Sequence, residues 1–297
     1  MSVQVENNLE DEITTIHWHG LEVDGDADGG PHSGIQPGES WTPEFTIDQP
    51  AATLWYHPHP EKNTGRQVYK GLAGLFFIED EVSDSLGIPK DYGVNDVPLI
   101  IQDKQFNENG SFQYELGMHD VMNGLQGGTM LVNGAVDPYL EVPKGMMRLR
   151  LLNGSNASVY ELHFSNNQTF YQIASDGGFL ENPIEMDELI LGPAERAEIL
   201  VDFSNFKDGD TIQLSNKGSE FMKFVVNGES ESNYAIPEQL TTIEKIDPDE
   251  ARKDTFIVYP GEKVRAIATF NHSGVFMYHC HILEHEDAGM MGQFKVE

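Results

Sequence analysis

The feature that most limits what this chain can fold into lies near its end, in the run HCHILEHEDAGM. The only cysteine, Cys280, stands between His279 and His281, and it is followed by His285 and Met290. Successive side chains of a β-strand point to opposite faces, so a strand here turns the thiol to one face and both flanking imidazoles to the other. The run therefore predicts a strand with metal ligands on both faces.

The ligand types in this run indicate copper. A thiolate, an imidazole and a thioether, with methionine as the weak and long axial ligand, are the donors of a blue-copper electron-transfer site. One strand would thus hold a redox copper on one face and contribute to a second metal site behind it. The two sites would be joined through covalently adjacent residues, which gives electrons a short bonded path. This arrangement suits an enzyme that collects single electrons and passes them on.

Two further His-x-His pairs support this interpretation. They are His17 with His19 in TIHWHG and His57 with His59 in LWYHPH, each inside an apolar, aromatic run typical of a strand. The same alternation puts both imidazoles of a pair on one face. A single pair of this kind is more often an ordinary structural feature. Three pairs in one chain, one of them around the only cysteine, favour metal ligands over satisfied core or loop histidines.

The rest of the chain consists of short predicted strands separated by glycine, proline and Asx turns, which predicts all-β sandwiches of the Greek-key kind. We expect three blocks, at 1–82, 97–228 and 255–297, with a polar connection at 83–96 and an acidic linker at 229–254. The last block has room for only about four strands, too few to bury a sandwich core alone. Its sandwich must be completed by strands from the first block or from another chain such as a second copy, because exposed strand edges pair readily with other strands.

Composition excludes some functions. The chain of 297 residues has 18 basic and 49 acidic side chains, and its net charge of −31 argues against nucleic acid and anionic membrane surfaces as partners. This acidity either attracts metal cations and cationic substrates or serves solubility. No apolar run approaches the ~20 residues of a membrane span, and no signal peptide is visible, so we expect a cytoplasmic protein. A single cysteine excludes an internal disulfide.

The histidine-bearing runs resemble three of the four copper-binding signatures of the multicopper oxidases, most closely those of bacterial laccases and cuprous oxidases. The runs are TTIHWHGLEVDGDADGGP, LWYHPHPEKNTGRQVYKGLAGLFFIED and VFMYHCHILEHEDAGMMGQFKVE. The middle of the chain, through LVNGAVDPYLEVPKGMMRLRLLNGSN, YQIASDGGFL and LGPAERAEILVDF, resembles the second, copper-free cupredoxin domain of that family. The likeness extends from Asn8 to Val296. It implies cupredoxin-like Greek-key domains, partial at 1–82 and 255–297 and copper-free at 97–228.

The resemblance also implies copper sites and a reaction. Type 1 copper would be held by Cys280, His285 and axial Met290, and would take single electrons from a phenol, an aromatic amine or Cu(I). A trinuclear cluster would use four of these electrons to reduce O₂ to water. In that cluster His17 would bind type 2 copper, and the type 3 pair would be bound by His19, His57, His59, His279 and His281.

The chain departs from the family in one important respect. The family has a further signature, HPxHxHG, early in its last domain, and this sequence contains no such run. By comparison with the family, the chain also opens in mid-domain and passes directly, between Ala251 and Asp254, to the last strands. We therefore expect a shortened family member, by natural deletion or by engineering, in which three of the four coppers each lack one ligand. His272 is the first candidate for a substitute ligand because it lies upstream of the copper strand.

Two carboxylates match the positions of acidic residues that deliver protons in the family. Asp28 lies nine residues after His19, and Glu286 directly follows His285. Each is a candidate general acid near the cluster, and the alternative is an exposed acid on an acidic protein. Thioethers and an imidazole in a glycine-rich loop either hold Cu(I) on its way in or fill gaps in packing, and these are Met118, His119, Met122 and Met130.

Three functional hypotheses follow. The first is a laccase-like multicopper oxidase that uses O₂ and a small reducing substrate. The second is a copper-binding cupredoxin protein with little or no oxidase activity, because a cluster that lacks ligands cannot hold the geometry needed for O₂ cleavage. The third is a copper-free scaffold of the cell envelope, against which the intact Cys280, His285 and Met290 argue.

Overall fold

The computed structural model describes residues 1–230, 232–243 and 252–297. Strands dominate the regular structure, and the helices among these residues have at most six residues each. The prediction of an all-β sandwich fold is therefore confirmed. No helix in the described part of the chain has the length and apolar character that crossing a membrane requires.

The first part of the chain contains five strands and a helix: β1 Val5–Glu6, β2 His17–His19, β3 Ser40–Trp41, β4 Ala52–His57, α1 Thr64–Tyr69 and β5 Gly74–Ile78. Strands β2, β4 and β5 form an antiparallel sheet, and β1 pairs with β3 beside it. In the β2–β4 pairing His17 lies opposite His57, and His19 lies opposite Trp55. This register brings the first two His-x-His pairs together.

The middle of the chain folds into a sandwich of two sheets. Its elements are α2 Glu81–Ser85, β6 Asp96–Lys104, α3 Met118–Asn123, β7 Thr129–Val132, β8 Ala135–Val136, β9 Tyr139–Lys144, β10 Met146–Asn153, β11 Tyr160–Phe164, β12 Phe170–Ser175, β13 Gly178–Met186, β14 Leu189–Leu191, β15 Arg196–Asp202, β16 Thr211–Asn216 and β17 Ser219–Glu229. One sheet has the order β13-β12-β15-β10-β6-β7-β8 and the other β14-β11-β16-β17-β9. Aliphatic and aromatic side chains from both sheets share one buried core.

A buried ion network joins this sandwich to the first part of the chain. Arg148 of β10 donates to Glu198 of β15 at 2.6 and 2.8 Å, and the hydroxyl of Thr53 in β4 donates to the same carboxylate at 2.7 Å. Arg150 forms a bidentate pair with Asp96 at 2.7 Å for both bonds. Paired charges of this kind tolerate burial because each has its hydrogen bonds made. The network fixes β4, and with it His57, against the sandwich.

The last part of the chain differs from the prediction of about four strands. Between 252 and 297 the structure has two, β18 Gly274–His279 and β19 Met291–Val296, with α4 Leu283–Asp287 between them. They pair only with each other, and residues 255–272 form no strand. The physical reason is that these residues have no neighbouring strand to pair with. Several of their apolar side chains are consequently exposed: Phe256, Val258, Tyr259, Val264, Ile267 and Phe270.

The predicted acidic linker at 229–254 is described only in part. Residues 232–243 have no strand or helix, yet Leu240 is buried and its amide donates to the carbonyl of Glu181 at 2.9 Å. This portion of the chain therefore packs against the edge of the sandwich. Residue 231 and residues 244–251, including Ala251 at the predicted junction, lie outside the described residues.

Candidate metal centre

Six histidines from the two ends of the chain meet in one cluster. Four come from the β2–β4 pairing and the loop after it, one is the last residue of β18, and one lies two residues beyond that strand. Neighbouring ring centroids are 4.8 to 5.9 Å apart. The structure therefore brings together the whole predicted set of imidazoles: His17, His19, His57, His59, His279 and His281.

Ring nitrogens face each other across the cluster. Nδ1 of His19 lies 3.3 Å from Nε2 of His57, and Nε2 of His59 lies 3.3 Å from Nε2 of His279. Beneath them Trp55 packs its indole against the ring of His57, with centroids 4.2 Å apart. The rings are thus held with their nitrogens directed into a shared space.

Burial keeps most of these imidazoles neutral. It lowers the pKa of His19 to about 4 and the pKa values of His57, His59 and His281 well below the usual range for histidine. His17 differs, because burial acts against its charged form but the charge and hydrogen bonds of Asp28 outweigh burial and raise its pKa. Neutral imidazoles have a free lone pair, which is the form that binds metal.

The residues present fit copper. Both ring nitrogens of His281 are buried and have no hydrogen-bond partner among the described residues. Leaving buried polar atoms unpaired is costly, and metal ligation would relieve that cost. Ligand atoms of His17, His19 and His57 lie within 4.8 Å of one another. Imidazole is a donor suited to copper.

Glu286 lies behind two of the rings. It is 3% exposed, and its two carboxylate oxygens lie 3.1 Å from Nδ1 of His59 and 3.0 Å from Nδ1 of His279. The same two rings turn their Nε2 atoms toward each other, so the carboxylate is on the side away from the shared space. A carboxylate in this position orients a ligand and fixes its tautomer. The alternative of an exposed surface acid does not apply to Glu286.

Asp28 has a similar relation to His17. The carbonyl oxygen of Asp28 lies 3.0 Å from Nδ1 of His17, and a carboxylate oxygen lies 3.3 Å from the same atom. Gly29 follows with φ of +78°, and a Cβ there would lie 1.7 Å from the carbonyl oxygen of Ile16. Only glycine allows the loop to approach β2 this closely. The close approach of this loop therefore places Asp28 beside the ring of His17.

The sequence does not predict the contact between Asp254 and His19. Its carboxylate lies 3.2 Å from Nε2 of His19 and receives two hydrogen bonds from Arg196 at 2.6 and 2.8 Å. Although burial opposes it, the charge of Arg196 holds the pKa of Asp254 well below its usual range. Asp254 and His19 are 235 residues apart in the chain, and neither the spacing nor a motif indicates the contact. Only the folded chain reveals this third carboxylate.

The thiol of Cys280 faces His285, which is not one of the six clustered histidines. Strand β18 ends at His279, so Cys280 and His281 lie just beyond it rather than inside one continuous strand. Sγ of Cys280 lies 3.6 Å from Nδ1 of His285. The backbone nitrogen of Cys280 donates to the carbonyl of Met290 at 3.0 Å. This bond brings the backbone of Met290 next to Cys280. The structure thus places the thiol beside the imidazole and brings the backbone of Met290 to Cys280, while the side chain of Met290 is 57% exposed.

Helix α4 attaches this region to the rest of the molecule. The carboxylate of Glu284 accepts hydrogen bonds from the side chain of Asn156 at 2.7 Å and from the amide of Leu125 at 3.1 Å. The carboxylate of Asp287 accepts from the amides of Thr64 and Gly65 at 2.9 and 3.0 Å. The helix therefore contacts both the sandwich and the first part of the chain.

A cavity of about 1030 Å³ opens beside the centre. It is lined by His19, Asp254, Cys280 and Met290, and by apolar residues from the segment after 254. Since the apolar segment 255–272 has no strand partner, the cavity lies between that segment and the two sets of predicted ligands. Solutes can reach both groups of predicted ligands through this cavity.

The remaining histidines lie elsewhere. Nδ1 of His272 is 3.7 Å from a carboxylate oxygen of Asp24, and Nε2 of His32 is 3.2 Å from the side-chain oxygen of Gln293. His163 lies in β11 of the sandwich. The structure places His272 beside Asp24 and in neither group of described residues that could share a metal ion, so its role as a substitute ligand stays a prediction.

Known proteins are similar to this chain in both sequence and fold. Two family models described as multicopper oxidase match residues 1–83 and 220–297. The "Multicopper oxidase mco" of Staphylococcus aureus is 38% identical over 361 residues, covering 100% of this chain and 79% of the relative. That alignment is longer than the chain's 297 residues, so the relative has sequence with no counterpart here. The "Cell division protein FtsP" of Escherichia coli is 46% identical over 196 residues, 66% of this chain and 40% of that protein.

Solved structures agree. The laccase-like multicopper oxidase CueO from Ochrobactrum sp. superimposes with a TM-score of 0.88 at 32% identity, over 100% of this chain and 88% of that one. A laccase from Pediococcus acidilactici gives a TM-score of 0.87 at 34% identity, over 99% and 80%. The sandwich domains are therefore of the cupredoxin type, and the chain belongs to the multicopper oxidase family.

Proposed function

We propose that this chain is a laccase-like multicopper oxidase, which couples one-electron oxidation of a small reducing substrate to four-electron reduction of O₂ to water. The observation that supports this most strongly is the meeting of six buried or half-buried histidines with Cys280 and His285 on adjacent sides of one short segment. Phenols, aromatic amines and Cu(I) are the substrates expected.

The proposed copper ligands fall into two groups, one around Cys280 and one in the cluster of six histidines. Cys280, His285 and Met290 would hold type 1 copper, and His17 would hold type 2 copper. Copper, when bound, supplies one-electron redox chemistry that these side chains lack. The type 3 pair would be held by the remaining rings of the cluster: His19, His57, His59, His279 and His281.

The chain's own residues connect and orient these sites. Cys280 is covalently joined to His279 and His281, so the path from the thiolate to the cluster runs through bonds. Nδ1 of His17 faces the carbonyl and carboxylate of Asp28, Nδ1 of His279 faces the carbonyl of Cys280, and Glu286 lies beside the Nδ1 atoms of His59 and His279, so the Nε2 atoms of these rings remain free to ligate. Asp254 holds Nε2 of His19 and leaves its Nδ1 facing His57.

Oxygen uptake tests the proposal directly. The chain is loaded anaerobically with Cu(I) and its copper content is measured; air is then admitted, and the visible spectrum and O₂ uptake are recorded from the same sample. We expect an intense thiolate-to-copper band and O₂ consumption. His57→Gln should abolish O₂ uptake while keeping the band, and His272→Gln, a histidine outside both ligand sets, should change neither.

A second function has its own support. Among the described residues, His285 is the one imidazole within hydrogen-bond distance of Cys280, whereas blue-copper sites use two histidines. The likeness to a protein named for cell division also shows that relatives of this chain are not all named as oxidases. The alternative is a copper-binding protein with little or no oxidase activity. One or two bound coppers without O₂ uptake would support it over the first proposal.

A further inference from the structure

The cysteine site has one imidazole fewer than a blue-copper site uses. Such a site holds its metal with a thiolate, two imidazoles and a weak thioether. Among the described residues, Sγ of Cys280 has one ring nitrogen within hydrogen-bond distance, Nδ1 of His285 at 3.6 Å. All eleven histidines of the sequence lie in the described part of the chain. The structure therefore shows no second imidazole of this chain beside the thiol.

The other histidines lie in different surroundings. The two that flank Cys280 belong to the six-histidine cluster, where their rings contact those of His19 and His59. His119 lies on α3, and its side chain is 84% exposed. The last three lie in other parts of the molecule: His32, His163 and His272. A second ring for the cysteine site would therefore come from outside the single chain.

The cavity beside the centre reaches the cysteine from a side that His285 does not occupy. Cys280 and Met290 line this cavity, whereas His285 does not. Its volume of about 1030 Å³ is ample for a small molecule, since ligand pockets usually have ~300–1,000 Å³. A five-membered ring can therefore enter the cavity and approach the sulfur.

The walls of the cavity favour a neutral aromatic heterocycle over an anion. The apolar side chains of Phe256, Ile257 and Val258 form one part of the lining. Glu195 and Asp254 add carboxylates, in a chain of net charge −31, and these repel negatively charged ligands. Carboxylates are also the usual acceptors for the second ring nitrogen of a metal-bound imidazole. The lining thus suits imidazole better than a halide, azide or phosphate.

We propose that the cavity binds an imidazole from solution, which completes the copper site of Cys280, His285 and Met290. The ligand class is a small neutral nitrogen heterocycle with a free lone pair, because imidazole nitrogen is a donor suited to copper. The proposal rests on the copper assignment given to these three residues in the proposed function. It does not depend on whether the chain reduces O₂.

A spectroscopic titration tests this site. The full chain is loaded with copper, oxidised and titrated with ¹⁵N-labelled imidazole, while the thiolate-to-copper band and the copper content are recorded. We expect the band to shift and to saturate at one imidazole per cysteine copper, with copper content unchanged and ¹⁵N coupling to that copper in ENDOR spectra. Pyrrole, a ring of the same size without a free lone pair on nitrogen, should have no effect. A band that imidazole leaves unchanged would overturn the inference, because the site would then be complete without it.

A matched pair of variants locates the ligand. Val258 lines the cavity and Val136 lies in β8 away from it, and both are 50% exposed. Val258→Trp should raise the imidazole concentration at half-saturation by about tenfold, because the larger ring takes up space in the cavity. Val136→Trp should leave it unchanged. Equal half-saturation in the two variants would overturn the cavity as the binding site, and if Val258→Trp fails to fold, the titration of the parent chain still decides.

The same samples separate this inference from the proposed oxidase function. O₂ uptake reports on the oxidase, and its absence together with an imidazole-dependent band would contradict the oxidase alone. A thiolate-to-copper band that is absent both with and without imidazole would overturn the copper assignment and this inference with it.

Discussion

At the residue scale, the centre depends on carboxylates placed behind imidazoles. Glu286 contacts one ring from the start of the chain, His59, and one from the end, His279. The carboxylate lies beside the Nδ1 atom of each ring, and the Nε2 atoms of the two rings face each other on the other side. This buried carboxylate therefore connects two chain segments as well as orienting two ligands.

Replacing this carboxylate should weaken metal binding. Glu286→Gln keeps the shape of the side chain but removes the negative charge that lies about 3 Å from both Nδ1 atoms, so we expect a loss of ~10–100-fold in copper affinity. Competition with a chelator of known affinity measures it. Glu61→Gln, at an exposed position, is the control and should leave the affinity unchanged. Equal affinities for both variants would show that Glu286 does not orient the ligands.

Lys104 is a buried charge outside the metal centre. It is 1% exposed, its Nζ has no hydrogen-bond partner among the described residues, and it lies 4.1 Å from the ring centroid of Tyr69. Burial lowers its pKa to about 8, against the opposing charges of Asp103 and Glu284. At pH 7 the folded chain therefore holds a protonated lysine in an apolar environment.

Removing this charge should stabilise the chain at neutral pH. Lys104→Met is expected to raise the free energy of unfolding at pH 7 by roughly 1–3 kcal/mol, since the burial penalty exceeds the attraction to the Tyr69 ring. Between pH 8 and 10.5 only the unfolded parent chain keeps the proton, so the parent gains stability with rising pH and the difference shrinks. Urea unfolding at pH 7 and pH 10 measures both. Lys70→Met, an exposed lysine, should show no such pH dependence; a less stable Lys104→Met at pH 7 would contradict the prediction.

At the scale of elements, α4 joins three parts of the molecule although it has only five residues. A helix this short has little stability of its own in water. It is held by Glu284 on the sandwich, Asp287 on the start of α1 and Glu286 on the histidines. Because His285 lies in the same turn, the cysteine site depends on how well α4 is attached.

Loss of the Glu284 contact should loosen this helix. Glu284→Ala leaves the buried donors of Asn156 and Leu125 unpaired, so we expect a loss of roughly 2–4 kcal/mol in the free energy of unfolding. Hydrogen exchange should increase most at residues 279–290. The exposed Glu185→Ala is the control. Uniformly faster exchange over the whole chain would indicate a global rather than a local effect.

At the scale of the whole molecule, the segment 255–272 has no strand to pair with, although Phe270 packs against Phe294. Its exposed apolar side chains lie in one stretch that also contains Lys263 and Arg265, in a chain of net charge −31. A large exposed apolar surface on a soluble protein marks a site of association. Two copies that each carry a net charge of −31 repel at low salt, so the apolar surface would drive self-association most strongly once salt screens the charges.

Self-association through this segment is therefore expected. Sedimentation velocity should show a concentration-dependent dimer that strengthens as salt is added, because salt screens the repulsion between the two acidic chains. The variant Ile267→Ser with Phe270→Ser should remain monomeric, because it removes apolar area that is exposed in the single chain. Ile190→Ser, an exposed apolar residue of the sandwich, is the control. A parent chain that stays monomeric at all concentrations would contradict association.

The sequence by itself determined the fold class and the chemistry of the ligands. The alternation of a strand, which is a local property, predicted that Cys280 faces away from His279 and His281, although the strand itself ends at His279. The same alternation in HWH and HPH indicated which rings share a face. Aromatic and branched residues between turns were sufficient to predict the all-β sandwich.

Only the tertiary structure decided which distant groups meet. The contact of Asp254 with His19, the two-ring contact of Glu286 and the bond from His285 to the carbonyl of Met122 depend on packing between segments far apart in the chain. The tertiary structure also decided that residues 255–272 form no strand, since strand formation requires a neighbouring strand as well as a suitable sequence. Local patterns fix what each side chain can do, and long-range packing fixes its partner.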